Sequence, residues 1–342
     1  MDIEQRRARR EARRREHARR RTRGLAAAAV LVIAALLTAI LVNSGSSSRS
    51  ASQSDSSGLT GAGVGSGARV SSSSNGVNTA GSSTGASRNS SAGTAGTAIG
   101  TPGTEPVPIL MYHVINPPPP GAKFPGLYVP SEEFAAQMRA LATAGFHAVT
   151  MDQMLANWTR GTPLPGGKPI VVSFDNGYQS QLTQALPVLR RLGWVGVENI
   201  QLTGLPPSQG GLSRAQVSEL VGAGWELDTQ GISHADLVSL APAALREQVA
   251  VARAEVRRRY HVPVNWFCYP SGHYNATVVA EVKAAGYVGS TTVVPGWARP
   301  GEDLYRLPRL RVLGGTSPRA LLDQIAAVRL NSAPPSTYGP GG

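Results

Sequence analysis

Four short polar clusters, each at the end of an apolar run, hold the groups most able to do chemistry in this 342-residue chain. The first is Tyr112-His113, and the second is Ser173-Phe174-Asp175-Asn176-Gly177-Tyr178. The third is Asp228-Thr229-Gln230-Gly231-Ile232-Ser233-His234-Ala235-Asp236-Leu237. The fourth is Tyr269-Pro270-Ser271-Gly272-His273-Tyr274-Asn275. Carboxylates and imidazoles move protons and hold metal ions, so convergence of these Asp, Asn, Gln and His side chains would make a hydrolytic or metal site. Singly, each cluster has a plainer role. Asp-Asn-Gly is a common turn, and His273 follows Ser-Gly in what reads as a loop. Which role holds depends on whether the fold brings the clusters together.

The elements between them alternate. Residues 107–112 read as a strand, and 170–174 is a short unbroken apolar run, the pattern of a strand covered on both faces. Further strands are expected at 194–200, 225–228, 266–269 and 287–292. Helices are expected at 131–143 with Ser131 as N-cap, and at 181–192, 213–223, 241–260, 275–285 and 318–329, with Gly193 and Gly224 as stops. Arg257-Arg258-Arg259 is read as a solvated face. Strand–helix units of roughly 25–35 residues predict an α/β fold with a parallel sheet. About seven strands in about 225 residues favour a closed barrel over an open doubly wound sheet, and barrel chemistry sits at the strand ends.

The same clusters resemble the motifs of the polysaccharide deacetylase (NodB-homology) family. Ser173-Phe174-Asp175-Asn176-Gly177 is similar to that family's first motif, Thr/Ser-Phe-Asp-Asp-Gly. The stretch from Gly224 to Leu237 is similar to its second, Gly-x-Glu-Ile-Gly-Ser-His-Thr-x-Ser-His-x-x-Leu. Phe267-Cys268-Tyr269-Pro270-Ser271-Gly272 resembles its third, and Pro108-Ile109-Leu110-Met111-Tyr112-His113 resembles the start of members acting on poly-N-acetylglucosamine. The match runs over residues 106–330, in order. It implies a distorted (β/α)7 barrel that removes acetyl groups from N-acetylated sugars by means of a metal-activated water. It also implies Asp175 as general base and His113 as the acid that protonates the leaving amine. The metal ligands would fall at Asn176, Gln230 and His234. Tyr178, Tyr269, Pro270 and His273 are candidates for sugar contact. The segment Leu307-Pro308-Arg309-Leu310-Arg311-Val312, where other members place a catalytic His, offers none.

Base and acid are thus retained, while two of three metal ligands are amides. Zinc favours imidazole, thiolate and carboxylate, and neutral carboxamide oxygens are weak substitutes. Without a metal, water keeps a pKa of about 15.7 and is a poor nucleophile. Asp228, two residues before Gln230 and on the same face of a strand, could restore the missing charge. Its plainer role is a hydrogen bond to a neighbouring loop. Two functions follow: an N-deacetylase of a cell-wall or exopolysaccharide glycan using a divalent metal such as zinc, or a metal-free glycan-binding pseudoenzyme. A wall-spacing protein with no site is the third reading, and it accounts least well for the motifs.

The net charge of +12 is uneven along the chain. Residues 1–23 carry eleven Arg against four acids, whereas residues 105–342 hold a net of only +3, so a nucleic-acid groove is not expected there. Residues 25–42 are apolar apart from Thr38. As a helix they would span roughly 27 Å, close to a bilayer core. With arginines on its N-terminal side, a single-pass anchor over residues 25–43 is expected, the N-terminus cytoplasmic and the remainder extracellular. A signal peptide has a shorter apolar run, and Leu41-Val42-Asn43 is a poor cleavage site. Residues 44–104, rich in Ser, Gly, Thr and Ala, are expected to be a disordered tether. A domain at 105–332 and a flexible tail at 333–342 complete the organisation. The one cysteine, Cys268, rules out an internal disulfide and is expected to be a buried, inert thiol.

Overall fold

The computed structural model describes residues 100–340. The basic segment, the expected anchor at residues 25–43 and residues 44–99 of the expected tether lie outside the described residues. Among the described residues no helix is long and apolar enough to cross a membrane.

Strands and helices alternate from the start. Strand β1 (Val107–Tyr112) leads to helix α1 (Ser131–Thr143), β2 (Phe146–Ala148), α2 (Met151–Arg160) and β3 (Lys168–Asp175). A π-helical turn, Gln181–Ala185, opens into α3 (Leu186–Arg191), followed by β4 (Val197–Ile200), α4 (Arg214–Gly222) and β5 (Glu226–Thr229). The long helix expected at 241–260 consists of α5 (Pro242–Arg246), a π segment (Glu247–Val251) and α6 (Ala252–Tyr260). Then come β6 (Trp266–Cys268), α7 (Ala276–Ala284), β7 (Gly289–Thr291), β8 (Trp297–Ala298), β9 (Leu310–Arg311) and α8 (Pro318–Ala327).

Helix starts follow local chemistry. Thr150 and Ser213 each form a capping box with the glutamine three residues on. Ser131 does not cap as expected; it is the first helical residue, and Pro130 precedes it with no side-chain bond. Proline fixes the φ that leads into the helix, so entry is set without a hydroxyl.

The sheet runs β7-β6-β5-β4-β3-β1-β8, with β2 on β3 and β9 on β1. Every pairing is parallel except β8 on β1. This is a curled parallel half-barrel. The continuous closed ring expected from strand count is not formed, because β7 and β1 do not pair. No helix longer than one turn separates β7 from β9, and an extended segment spans the gap: Leu307 bridges Thr291, and β9 pairs with β1.

Alternation along the strands sorts the side chains. Val107, Ile109, Val171, Val197 and Trp266 form one inner cluster, joined by Met151, Met154 and Trp158 of α2. Leu110, Tyr112, Val172 and Phe174 face the other way, onto Phe134, Met138 and Leu141 of α1. A third cluster gathers Phe267, Tyr269, Tyr274 and Tyr287 under α5 to α7.

Both ends of the expected domain extend further. Gly100 and Gly103 donate backbone hydrogen bonds to α2 at Arg160 and Asn157. The tail is also tied down: Tyr338 and Tyr274 exchange backbone bonds of 2.7 and 2.9 Å, and the Tyr274 hydroxyl donates to the Pro335 carbonyl at 2.7 Å. Three such bonds tie down part of the tail expected to be flexible at residues 333–342.

Candidate active site

A cavity of about 720 Å³ opens where β1, β3, β5 and β6 end. Its wall includes His113, Asp175, Asn176, Tyr178, Gln201, Gln230, His234 and Tyr269, so the four sequence clusters do converge. Phe124, Leu127, Leu205 and Leu313 supply an apolar side.

Asp175 is the last residue of β3 and is buried. The turn that follows is left-handed at two consecutive residues, Asn176 (φ 79°) and Gly177 (φ 81°). Asparagine and glycine are the residues that adopt this conformation most readily. The turn sets Asn176 in the cavity wall, where its Oδ1 accepts from Gln201 Nε2 at 3.4 Å.

The carboxylate of Asp175 is fully engaged. Arg309 donates to it through Nη1 at 2.7 Å and Nη2 at 2.9 Å. Asn199 Nδ2 adds a bond to Oδ1 at 2.9 Å, and the Cys268 thiol lies 3.5 Å from Oδ2. Burial by itself would raise the pKa of Asp175, but the Arg309 charge and its hydrogen bonds hold it down to about 2. Arg309 is fully buried, and it also donates to the Thr292 carbonyl and to Cys268 Sγ. Residue type and spacing do not mark Arg309 as a partner of Asp175. The only local signal was a cation inside an apolar, proline-containing stretch.

His113 directly follows β1 and is also buried, with its Nδ1 unpartnered. Burial lowers its pKa to about 4, with Asp175 opposing the shift, so the ring is neutral at neutral pH. His234 stands exposed on the rim, where its Nε2 faces the Ser271 backbone N–H at 3.4 Å. Gln230 is buried, and its Oε1 has no hydrogen-bond partner.

Three expected residues do not join this set. Asp228 is absent from the cavity wall: its Oδ1 accepts from the Trp266 backbone N–H at 2.9 Å, beside Glu226. Neighbouring strands in parallel register share a face, but this side chain turns toward the start of β6. His273 pairs with Asp236 at 3.0 Å and packs near Tyr338 instead of lining the cavity. Pro270 is buried and does not reach the wall. Tyr178 and Tyr269 do line it, although the Tyr269 hydroxyl is committed to the Tyr305 carbonyl.

The donor set can be tested against a divalent metal. It offers the imidazoles of His234 and of His113, whose Nδ1 is buried and unpartnered, and two neutral amide oxygens, on Asn176 and Gln230. Arg309 and Asn199 already occupy the one carboxylate. Among the described residues no three His, Cys, Asp or Glu side chains come together as metal donors. These residues do not fit a zinc-type site, which needs anionic or imidazole ligands.

A curled parallel sheet with Asp and His side chains at the carboxyl ends of its strands defines a barrel-related α/β domain with its candidate site at the strand ends. Residues 164–290 match the family profile described as polysaccharide deacetylase. By this match the chain carries a polysaccharide deacetylase domain, and the proteins it is similar to bear the same name. A Bacillus subtilis (strain 168) protein named "Putative polysaccharide deacetylase YxkH" is 28% identical over 212 residues, covering 62% of this chain and 73% of that protein. Among solved structures, BC0361, a polysaccharide deacetylase from Bacillus cereus, is 26% identical with a TM-score of 0.58, over 65% of this chain and 69% of that one. The Streptococcus pyogenes deacetylase PplD, solved with acetate, has a TM-score of 0.59 at 24% identity, over 65% of this chain and 99% of that one. At that identity it speaks for the fold alone.

Proposed function

We propose that this chain is a membrane-tethered, extracytoplasmic protein that removes acetyl groups from an N-acetylated cell-wall or exopolysaccharide glycan. The observation that carries this reading is the convergence of Asp175, His113 and His234 on one cavity in a domain of this family. The half-barrel is then a distorted (β/α)7 barrel. The apolar run at residues 25–43 is its anchor, and residues 44–99 are its tether.

In the proposed reaction, water adds to the acetamide carbonyl carbon and the C–N bond breaks. The nitrogen gains a proton, giving acetate and a free amine. Asp175 is the base and His113 the proton donor. Asp175 must loosen one of its four contacts to reach water. His113, neutral at neutral pH, must first take up the proton it delivers, and the Asp175 carboxylate favours its charged form. Tyr178 and Tyr269 offer faces to the sugar ring.

One observation favours a second reading. With amides at Asn176 and Gln230 and Asp175 held by Arg309, the cavity is better equipped to hold a glycan than to hydrolyse it. Incubating the protein with N-acetylglucosamine oligomers and peptidoglycan fragments, and measuring released acetate, separates the two. Release that Asp175→Asn lowers on the order of a hundredfold or more is the expected result. Saturable binding with no acetate would select the second reading.

A further inference from the structure

We infer that the cavity binds its ligand without a divalent cation, the amides of Asn176, Gln201 and Gln230 and the His234 ring contacting the acetamide directly. The acetamide part of this inference rests on the proposed function; the cation part stands on the chain's own residues.

Charge argues first. Among the residues lining the cavity, Asp175 is the one carboxylate and Arg311 the one permanent cation. Arg309, immediately behind Asp175, already cancels its charge at 2.7 Å. A divalent ion placed here would meet a wall that is net positive, and desolvation in a buried site strengthens that repulsion.

The donors argue next. A metal site in this position would need to recruit Asp175, breaking a bidentate ion pair that is buried on both sides. The remaining atoms are neutral amide oxygens, the buried His113 ring and the exposed His234 imidazole, with no second carboxylate to join them.

The amides suit a different ligand. Gln230 Oε1 is buried at the cavity wall and lacks a donor. Buried acceptors without partners are unfavourable, so a ligand N–H delivered to this atom is stabilised. An acetamide carries one N–H and one carbonyl. A carboxamide such as Gln230 or Gln201 carries the matching acceptor and donor in one group. A cation would satisfy Oε1 but leave every nearby N–H donor facing positive charge.

The test is a calorimetric titration of Zn²⁺, and separately Co²⁺, into the purified full chain. The expected result is no saturable binding below about millimolar metal. The double variant Asn176→Asp/Gln230→His restores an anion and an imidazole beside His234. It should gain affinity by on the order of a hundredfold, with new Co²⁺ visible absorption. Micromolar binding by the unaltered chain, abolished in His234→Ala, would overturn the inference. If the double variant fails to fold, a second measurement decides: chitooligosaccharide affinity with and without EDTA. Unchanged affinity supports the inference, and loss with EDTA overturns it. No oligosaccharide binding and no acetate release under any condition would strike the proposed function instead, because the metal titration is read without sugar.

Discussion

At two of the sites where this domain buries acids, the fold manages their charge in opposite ways. At the carboxyl end of β3, Asp175 is held by a guanidinium and stays ionised, with a pKa pulled down to about 2. At β5, Glu226 and Asp228 lie against each other, and neither has a salt-bridge partner among the described residues. The Asp152 backbone N–H donates to Glu226 and the Trp266 backbone N–H to Asp228, yet one oxygen of each acid is unpartnered. Burial drives their pKa values up, that of Asp228 to about 7 and that of Glu226 well above the carboxylate range. Compensation by a partner keeps a charge available at the cavity, whereas compensation by protonation removes it. The comparison explains why the cavity wall holds an ionised carboxylate at Asp175, whereas Asp228 is turned to the β6 backbone.

The largest expected effect comes from breaking the compensated region. Arg309→Met leaves Asp175 as an unpaired buried charge, and Cys268, Ser173 and Thr292 lose a donor. Losing one member of a buried ion pair costs about 3–5 kcal/mol. Chemical denaturation at pH 7 should show a loss of that size. The loss should shrink below pH 4, where the freed Asp175 takes a proton. A loss that is equal at both pH values would mean that packing of the long side chain, and not its charge, is what matters.

The uncompensated region gives the next effect, with the opposite pH dependence. An acid whose pKa is raised by folding contributes stability that is fully present below its unfolded pKa and is lost as pH rises through its folded pKa. For Asp228 that window runs from about 4 to about 7. For Asp175, whose pKa is depressed, stability is present above about 4 and is lost as pH falls toward about 2. Asp228→Asn keeps the acceptor for Trp266 and cannot ionise. It should therefore flatten the decline between pH 4 and 7, by on the order of a few kcal/mol, and leave the acid limb alone. A decline of unchanged slope in the variant would assign that window to other groups.

The sequence made some of this legible. Strand–helix alternation predicts the parallel α/β sheet, and every strand from β3 to β7 overlaps an expected range, with β3 and β5 running slightly past theirs. The motifs named Asp175, His113 and Gln230, which do face one cavity. Other features depend on contacts between distant residues. Phe146–Ala148 is too short and Met151–Arg160 too polar to stand out as elements, yet β2 and α2 complete the base of the sheet. Arg309 meets Asp175 across 134 residues, so no local window connects them. Asp228 shares a strand face with its neighbours but turns toward the β6 backbone, a choice made by an unpaired N–H on another strand. The open seam between β7 and β1 follows from a missing crossover helix, which a count of strands does not register.

The smallest effect sharpens the compensated side of the comparison. Cys268 touches both partners of the ion pair, accepting from Arg309 Nη2 at 3.2 Å and donating toward Asp175 Oδ2 at 3.5 Å. Burial pushes its thiol up to about 12, so almost none is thiolate at neutral pH. A thiol reagent such as dithionitrobenzoate should leave the folded chain unmodified at pH 8 and titrate one thiol on denaturation. Cys268→Ser retains a donor and an acceptor and should change stability by less than about 1 kcal/mol, whereas Cys268→Ala, which empties the position, should cost about 1 kcal/mol more. Rapid modification of the folded protein would mean that solvent reaches the inside of the sheet. A hydrated ion pair is worth far less than a buried one. The contrast between the Asp175 and Asp228 regions would then reduce to a difference in exposure, and the large loss expected for Arg309→Met should disappear with it.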